Sequence, residues 1–203
     1  SSAASDVYKR QIFYESVQSL YATVEEQEIN IPIIDSLLSN SALIEEHIHR
    51  SYLRIYTQQT SKLIDSGSNE LILEVIKKYI RRMFQYDKTL CPFRIISMEK
   101  KYSIPVPIRT PSGTFPLFIG GIIDRVDQIG NTVRVIDYKS GADNTNCKNI
   151  GSLFDSSNPL RNKAAFQTML YCLMFEHSHP ETSVLIPGTV SYTHLTLPTT
   201  SRV

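Results

Sequence analysis

Two apolar, β-branched runs near the middle of the chain are each broken by a carboxylate. They lie in Gly120–Gly141, GGIIDRVDQIGNTVRVIDYKSG, with Asp124 in the first run and Asp137 in the second. A buried strand has no packing reason to carry a lone carboxylate, because an uncompensated buried charge costs several kcal/mol. In a strand, residues two apart share a face. Asp137 and Lys139 therefore point one way and Tyr138 the other. If the two runs pair about the Gly130-Asn131 turn, Asp124 arrives at the height of Asp137. Two like charges about 4 Å apart repel by roughly 4 kcal/mol at an effective dielectric near 20. A divalent cation removes that repulsion, and hard oxygen ligands suit Mg²⁺ or Mn²⁺. Lys139 beside the metal could bind an anionic substrate or orient a water.

Single pieces of this set carry little. A strand-end D-x-K is often a surface ion pair, and G-x-x-D is common. The order strand, Asp, turn, strand, D-x-K-S-G is more specific. Gly121-Ile122-Ile123-Asp124-Arg125-Val126-Asp127 followed by Ile136-Asp137-Tyr138-Lys139-Ser140-Gly141 resembles the PD-(D/E)XK nuclease superfamily, in particular its RecB/AddB-like branch. Gln167 and Tyr171, a Q-x-x-x-Y after the D-x-K strand, continue the resemblance, and so does Glu99 in Ile96-Ser97-Met98-Glu99. The likeness extends to the C-terminal nuclease domain of large helicase-associated repair proteins of the Bacteroidetes type.

The resemblance implies a restriction-endonuclease-like α/β (α+β) fold, a mixed sheet flanked by helices with core order αβββαβ. It implies an Mg²⁺-dependent DNA nuclease, exonuclease-like, in which Mn²⁺ can substitute. Asp124, Asp137 and Glu99 would hold the metal and Lys139 would serve the water. Gln167, Tyr171, Arg125 and Tyr138 would support the site. DNA is the implied partner, with a helicase subunit or domain of the parent protein. The family also opens its nuclease domain on a helix that carries a metal-binding His. Here Tyr14 stands at that place, and tyrosine is a poor Mg²⁺ ligand.

Helices must flank these strands. Ile12, Phe13, Val17, Leu20, Tyr21 and Val24 recur at helical spacing. Ile31-Pro32 is expected to break the chain, with mixed helix from Ile33 to about Thr60. On that helix His47 and His49, two apart, fall on different faces and make no i, i+4 metal pair. Ser66-Gly67-Ser68-Asn69 reads as loop and N-cap before an apolar stripe from Leu71 to Phe84. Lys77, Lys78, Arg81 and Arg82 line the other side, either a solvated face or a patch that tracks phosphates. Phe93–Met98 reads as a strand. Residues 104–118, with four prolines and one glycine, read as edge strands and a hairpin. Residues 142–162 read as a long polar loop. Lys163–Glu176 reads as a helix carrying Gln167 and Tyr171 on one face. A last strand begins near Val184.

The 203 residues allow one domain with trimmings, and a net charge of +1 leaves any DNA contact to be local. Three scattered cysteines form no C-x-x-C pair and cannot supply a four-cysteine iron–sulfur site. No apolar run reaches transmembrane length, and a reducing cytoplasm is expected. Residues 1–11 and 189–203 are expected to be foreign, vector- or adapter-like tails around a truncated nuclease domain at 12–188. A catalytically inactive DNA-end-binding or scaffolding module is the alternative function. A sugar or nucleotide enzyme is disfavoured by the absence of a glycine-rich phosphate loop.

Overall fold

The computed structural model describes residues 2–24, 27–58, 66–139, 149–155, 157 and 162–191. They fall into two compact units, one reaching to Arg94 and one spanning Ile95–Ser191. Ser140, Gly141 and Cys147 lie outside the described residues.

The first unit is helical: α1 (Ser2–Ala22), α2 (Ile31–Ser39), α3 (Ser41–Gln58) and α4 (Ser66–Lys88). Helix α1 runs unbroken through residues 2–11 into the amphipathic stretch that begins at Ile12. Pro32 does not break a helix but starts one. It occupies the first turn of α2, where its missing N–H has no intrahelical partner to lose. Asn30 caps that turn by accepting from Ile33 N–H at 3.1 Å. The expected single mixed helix is two. At Asn40 the backbone N–H bonds back to Ser36 while its side chain accepts from Leu43 N–H at 3.0 Å, ending α2 and opening α3. The Ser66–Asn69 stretch expected as loop is the first turn of α4.

The stripe of α4 is the core of this unit, with Ile76, Ile80, Met83 and Phe84 fully buried. Its basic side largely ties helices together. Lys77 pairs with Glu45, whose carboxyl that cation holds below the usual range. Arg81 donates to Leu38 O at 3.2 Å and to Ser41 Oγ.

The second unit contains a four-stranded sheet, order β1-β2-β3-β4. β1 (Arg94–Thr110) and β2 (Gly113–Ile129) form a hairpin. β3 (Thr132–Lys139) pairs antiparallel with β2 across Gly130, whose φ of 56° is the left-handed conformation such a turn needs. After a 3₁₀ turn at Ile150–Leu153, α5 (Lys163–Ser178) crosses one face of the sheet, and β4 (Leu185–Ser191) adds parallel to β3. This is the αβββαβ order, with a mixed sheet. Ile123, Val126, Val133 and Val135 of the sheet pack against Tyr171, Met174 and Phe175 of α5. Among the described residues no helix is long and apolar enough to cross a membrane.

Candidate active site

Pairing between β2 and β3 runs from Ile129↔Thr132 to Arg125↔Ile136. The next rung brings Asp124 opposite Asp137. There the ladder changes partner, because Tyr138 N–H donates to the Asp124 carboxylate at 2.7 Å rather than to a strand carbonyl. Strand β2 is also irregular at this point. Ile123 and Val126 both belong to the core beneath α5, although residues three apart on a regular strand face opposite ways. The alternation thus slips by one residue at Asp124–Arg125. Irregularities of this kind re-aim a side chain and sit next to active sites.

On the α5 face the sequence-derived residues meet. Asp137 is 3 % exposed, and its carboxylate pairs with Lys139 Nζ at 2.7 Å. Lys139 Nζ also donates to Gln167 Oε1 at 3.0 Å, and Gln167 Nε2 donates to Tyr171 OH at 2.7 Å. The i, i+4 spacing of Gln167 and Tyr171 makes that last bond possible. The Tyr171 hydroxyl is held above the ordinary tyrosine range first by burial, against the Gln167 hydrogen bond, and further by the negative charges of Asp137 and Asp124. Gly121 leaves room for this tyrosine, since a Cβ there would come within 3.0 Å of the Tyr171 ring. The neighbouring Cys172 is no nucleophile at neutral pH, because burial pushes its thiol up to about 12.

The opposite face holds a second polar cluster. Arg125 is 1 % exposed and Asp127 0 %. Arg125 Nε donates to Asp127 at 2.7 Å and its guanidinium reaches Tyr138 OH at 3.1 Å. Arg134 grips the same carboxylate through two bonds of 2.7 Å. Arg125 and Tyr138 were expected to support the site. Asp127 and Arg134 were not, although their signal was in the sequence: Asp127 shares the parity of Arg125, and a buried strand carboxylate needs a cation across the ladder.

Glu99 is half-buried on β1 at a φ of 49°, rare for a residue with a side chain. The alternation of β1 slips around it, since Ser97 and Tyr102, an odd number of residues apart, still meet at 3.0 Å. Among the described residues no three of His, Cys, Asp and Glu gather into a metal-holding group. Glu99, expected as a third metal carboxylate beside Asp124 and Asp137, stands at this left-handed position of β1. Tyr14 is buried on α1, 5.6 Å from the Phe13 ring and 5.5 Å below the Arg10 guanidinium. His47 takes no part in a metal pair and hydrogen-bonds Ser19 at 2.7 Å.

The donor set fits a hard divalent cation. Asp124 and Asp137 stand on adjacent strands, Asp124 accepting the N–H of the residue that follows Asp137, and Mg²⁺ characteristically takes one or two carboxylates and fills its shell with water and substrate phosphate. A family model of the PD-(D/E)XK nuclease superfamily matches residues 18–202, a stretch that begins after Tyr14. No curated protein matches the chain.

Proposed function

We propose, on the premise that this chain belongs to the PD-(D/E)XK nuclease superfamily, that it is a metal-dependent deoxyribonuclease in which Asp124, Asp137 and Lys139 carry the reaction. The observation that carries this reading is the relay Asp137–Lys139–Gln167–Tyr171 on one face, with Asp124 one strand away. Asp124 and Asp137 would hold Mg²⁺ or Mn²⁺, which supplies Lewis-acid charge for the scissile phosphate and an acidified water. Lys139 does the remaining electrostatic work. Its ammonium is fixed by Asp137 and Gln167, so it meets the charge that builds on the phosphate without reorganising. From the same position the ammonium orients the attacking water, or, once it has given a proton to solvent, the neutral amine takes the water's proton. Gln167 sets where the ammonium sits, and Tyr171 sets Gln167. Neither needs to touch the substrate.

The RecB/AddB-like assignment rests on Gly121, the Asp124-Arg125-Val126-Asp127 run and the Gln167–Tyr171 spacing. A role in double-strand-break repair and recombination, beside a helicase subunit or domain of the parent protein, follows from that assignment. One observation favours a second reading, an inactive DNA-end-binding or scaffolding module. Tyr14 stands where the family places a metal-binding His, and it is packed among rings.

The test is cleavage of linear single- and double-stranded DNA with Mg²⁺, Mn²⁺ or EDTA, wild type against Lys139→Ala. Metal-dependent cleavage that the variant loses, with folding intact, supports the nuclease. Cleavage retained by Lys139→Ala overturns the assignment. DNA binding without cleavage selects the inactive module, and Tyr14→His is then the variant expected to restore turnover.

A further inference from the structure

We infer that the exposed ring pair Phe154–Phe166, with Lys163, is a stacking subsite for an unpaired base beside the scissile phosphate, and that it gives single-stranded DNA preference over duplex. The inference rests on the nuclease reading of the Asp137–Lys139 site. It starts from apolar surface placed where folding gives no reason for it. Phe154 is 65 % and Phe166 36 % exposed. The two rings meet edge to face, 5.4 Å apart at 84°. Their positions are fixed by structure that is itself anchored. Leu153, the residue before Phe154, is buried. Asn149 caps the 3₁₀ turn by accepting from Ser152 N–H at 2.9 Å. Asn162 caps α5 by accepting from Ala165 N–H at 2.9 Å. A preorganised aromatic face loses little conformational freedom when a base lands on it.

Location argues for a nucleic-acid occupant. On α5, Lys163, Phe166 and Gln167 stand at i, i+3 and i+4, so they form one contiguous patch. Gln167 holds the amino group of Lys139. A strand whose phosphate lies at Lys139 therefore has an exposed lysine and an exposed aromatic ring beside it on α5. Lys163 is exposed and has no ion-pair partner among the described residues. Cationic side chains that track the backbone and aromatic faces that take bases are the recurring pair in single-strand recognition. In a duplex both faces of a base are already stacked on its neighbours. Only an unpaired base can use the subsite without first being pulled out of its helix. Leu173, exposed further along α5, extends the apolar stripe away from Gln167 and supplies the control.

The experiment measures binding of a fluorescent oligothymidylate and of a blunt duplex to the full chain in EDTA, so that nothing is cleaved. Phe166→Ala and Phe154→Ala should each weaken single-strand binding about tenfold, the usual worth of one base on one ring. Phe166→Tyr should restore it, and Leu173→Ala should leave it unchanged. Duplex binding should move little in any of them. One abasic site walked along the oligonucleotide should reproduce the loss at one or two positions in wild type and add nothing in Phe166→Ala. Unchanged single-strand binding in both phenylalanine variants overturns the subsite. So does an equal loss for single strand and duplex. Self-association that Leu173→Ala and Phe166→Ala abolish together, with DNA binding intact, marks the stripe as a protein interface instead. The cleavage assay with Lys139→Ala keeps the two readings apart. Metal-dependent cleavage with no effect of the rings sinks only the subsite. Ring-dependent single-strand binding without cleavage sinks only the nuclease.

Discussion

At the scale of single residues, the site is a set of fixed distances rather than a set of reactive groups. Among the described residues the amino group of Lys139 meets Asp137 and Gln167. Gln167→Ala should lower kcat by about ten- to a hundredfold with KM nearly constant, a part of the roughly 10²–10⁴-fold that a positioned proton-transfer group contributes, because Lys139 itself remains. Tyr171→Phe keeps the ring but removes the hydroxyl that accepts from Gln167, and should show a smaller fall of the same kind. Gly121→Ala tests the position from below. Its methyl would stand 3.0 Å from the Tyr171 ring, so the ring that positions Gln167 must shift to admit it. The fall in kcat should match that of Tyr171→Phe or exceed it, while the circular-dichroism spectrum stays that of wild type. Steady-state kinetics on one DNA substrate checks all three. The carboxylates and the lysine were legible in the sequence because strand parity and one turn fix their heights. The purpose of Gly121 was not, since it is set by a helix fifty residues further along the chain.

At the scale of elements, what holds Asp124 against Asp137 is a clamp on the opposite face. Arg125 and Arg134 both close on Asp127, and Arg125 continues to Tyr138, which lies between Asp137 and Lys139. Removing a carboxylate from between two buried or half-buried cations costs about 3–5 kcal/mol. Asp127→Ala should therefore lower the denaturant midpoint strongly, and Asp127→Asn less. The helical unit carries a different device. His47 links α3 to α1 through Ser19. Burial, with Arg50 nearby, holds its pKa below the ordinary 6.5. A folded-state pKa below the unfolded value means the unfolded chain takes up more protons in acid. The contribution of His47 is thus present above about pH 6.5 and is lost as pH falls through and below it. His47→Gln should flatten the stability–pH curve in that window, as urea melts between pH 7.5 and 5 would show. Most elements were readable from period and caps. The misreadings were local. Pro32 looked like a breaker because its place in a first turn depends on Asn30 accepting the free N–H. The left-handed φ of 49° at Glu99 was not legible either, because it leaves no mark in residue type.

At the scale of the whole molecule, the question is whether the two-aspartate site binds its metal as part of the fold. A ligand that binds only the folded state raises stability by RT ln(1 + [L]/Kd), about 2.7 kcal/mol at a hundredfold excess over Kd. Under the proposed reading, Asp124 and Asp137 carry negative charge that Lys139 and the Tyr138 N–H offset only in part, and a bound metal would offset the rest. Mg²⁺ or Mn²⁺ should therefore raise the melting temperature of wild type in a concentration-dependent way that EDTA reverses. Asp124→Asn and Asp137→Asn each remove one of these charges, so both should lose most of the metal-dependent shift. Asp124→Asn keeps a side-chain oxygen for Tyr138 N–H and should melt near wild type without metal. Asp137→Asn gives up the Lys139 pair and should melt lower. Glu99→Gln separates two arrangements, since two aspartates acting alone leave its metal shift equal to that of wild type, whereas a reduced shift would bring Glu99 back into the ligand set. The measurement needs no turnover and no DNA, so an inactive end-binding module with no metal site would be recognised by a melting temperature that ignores the cation.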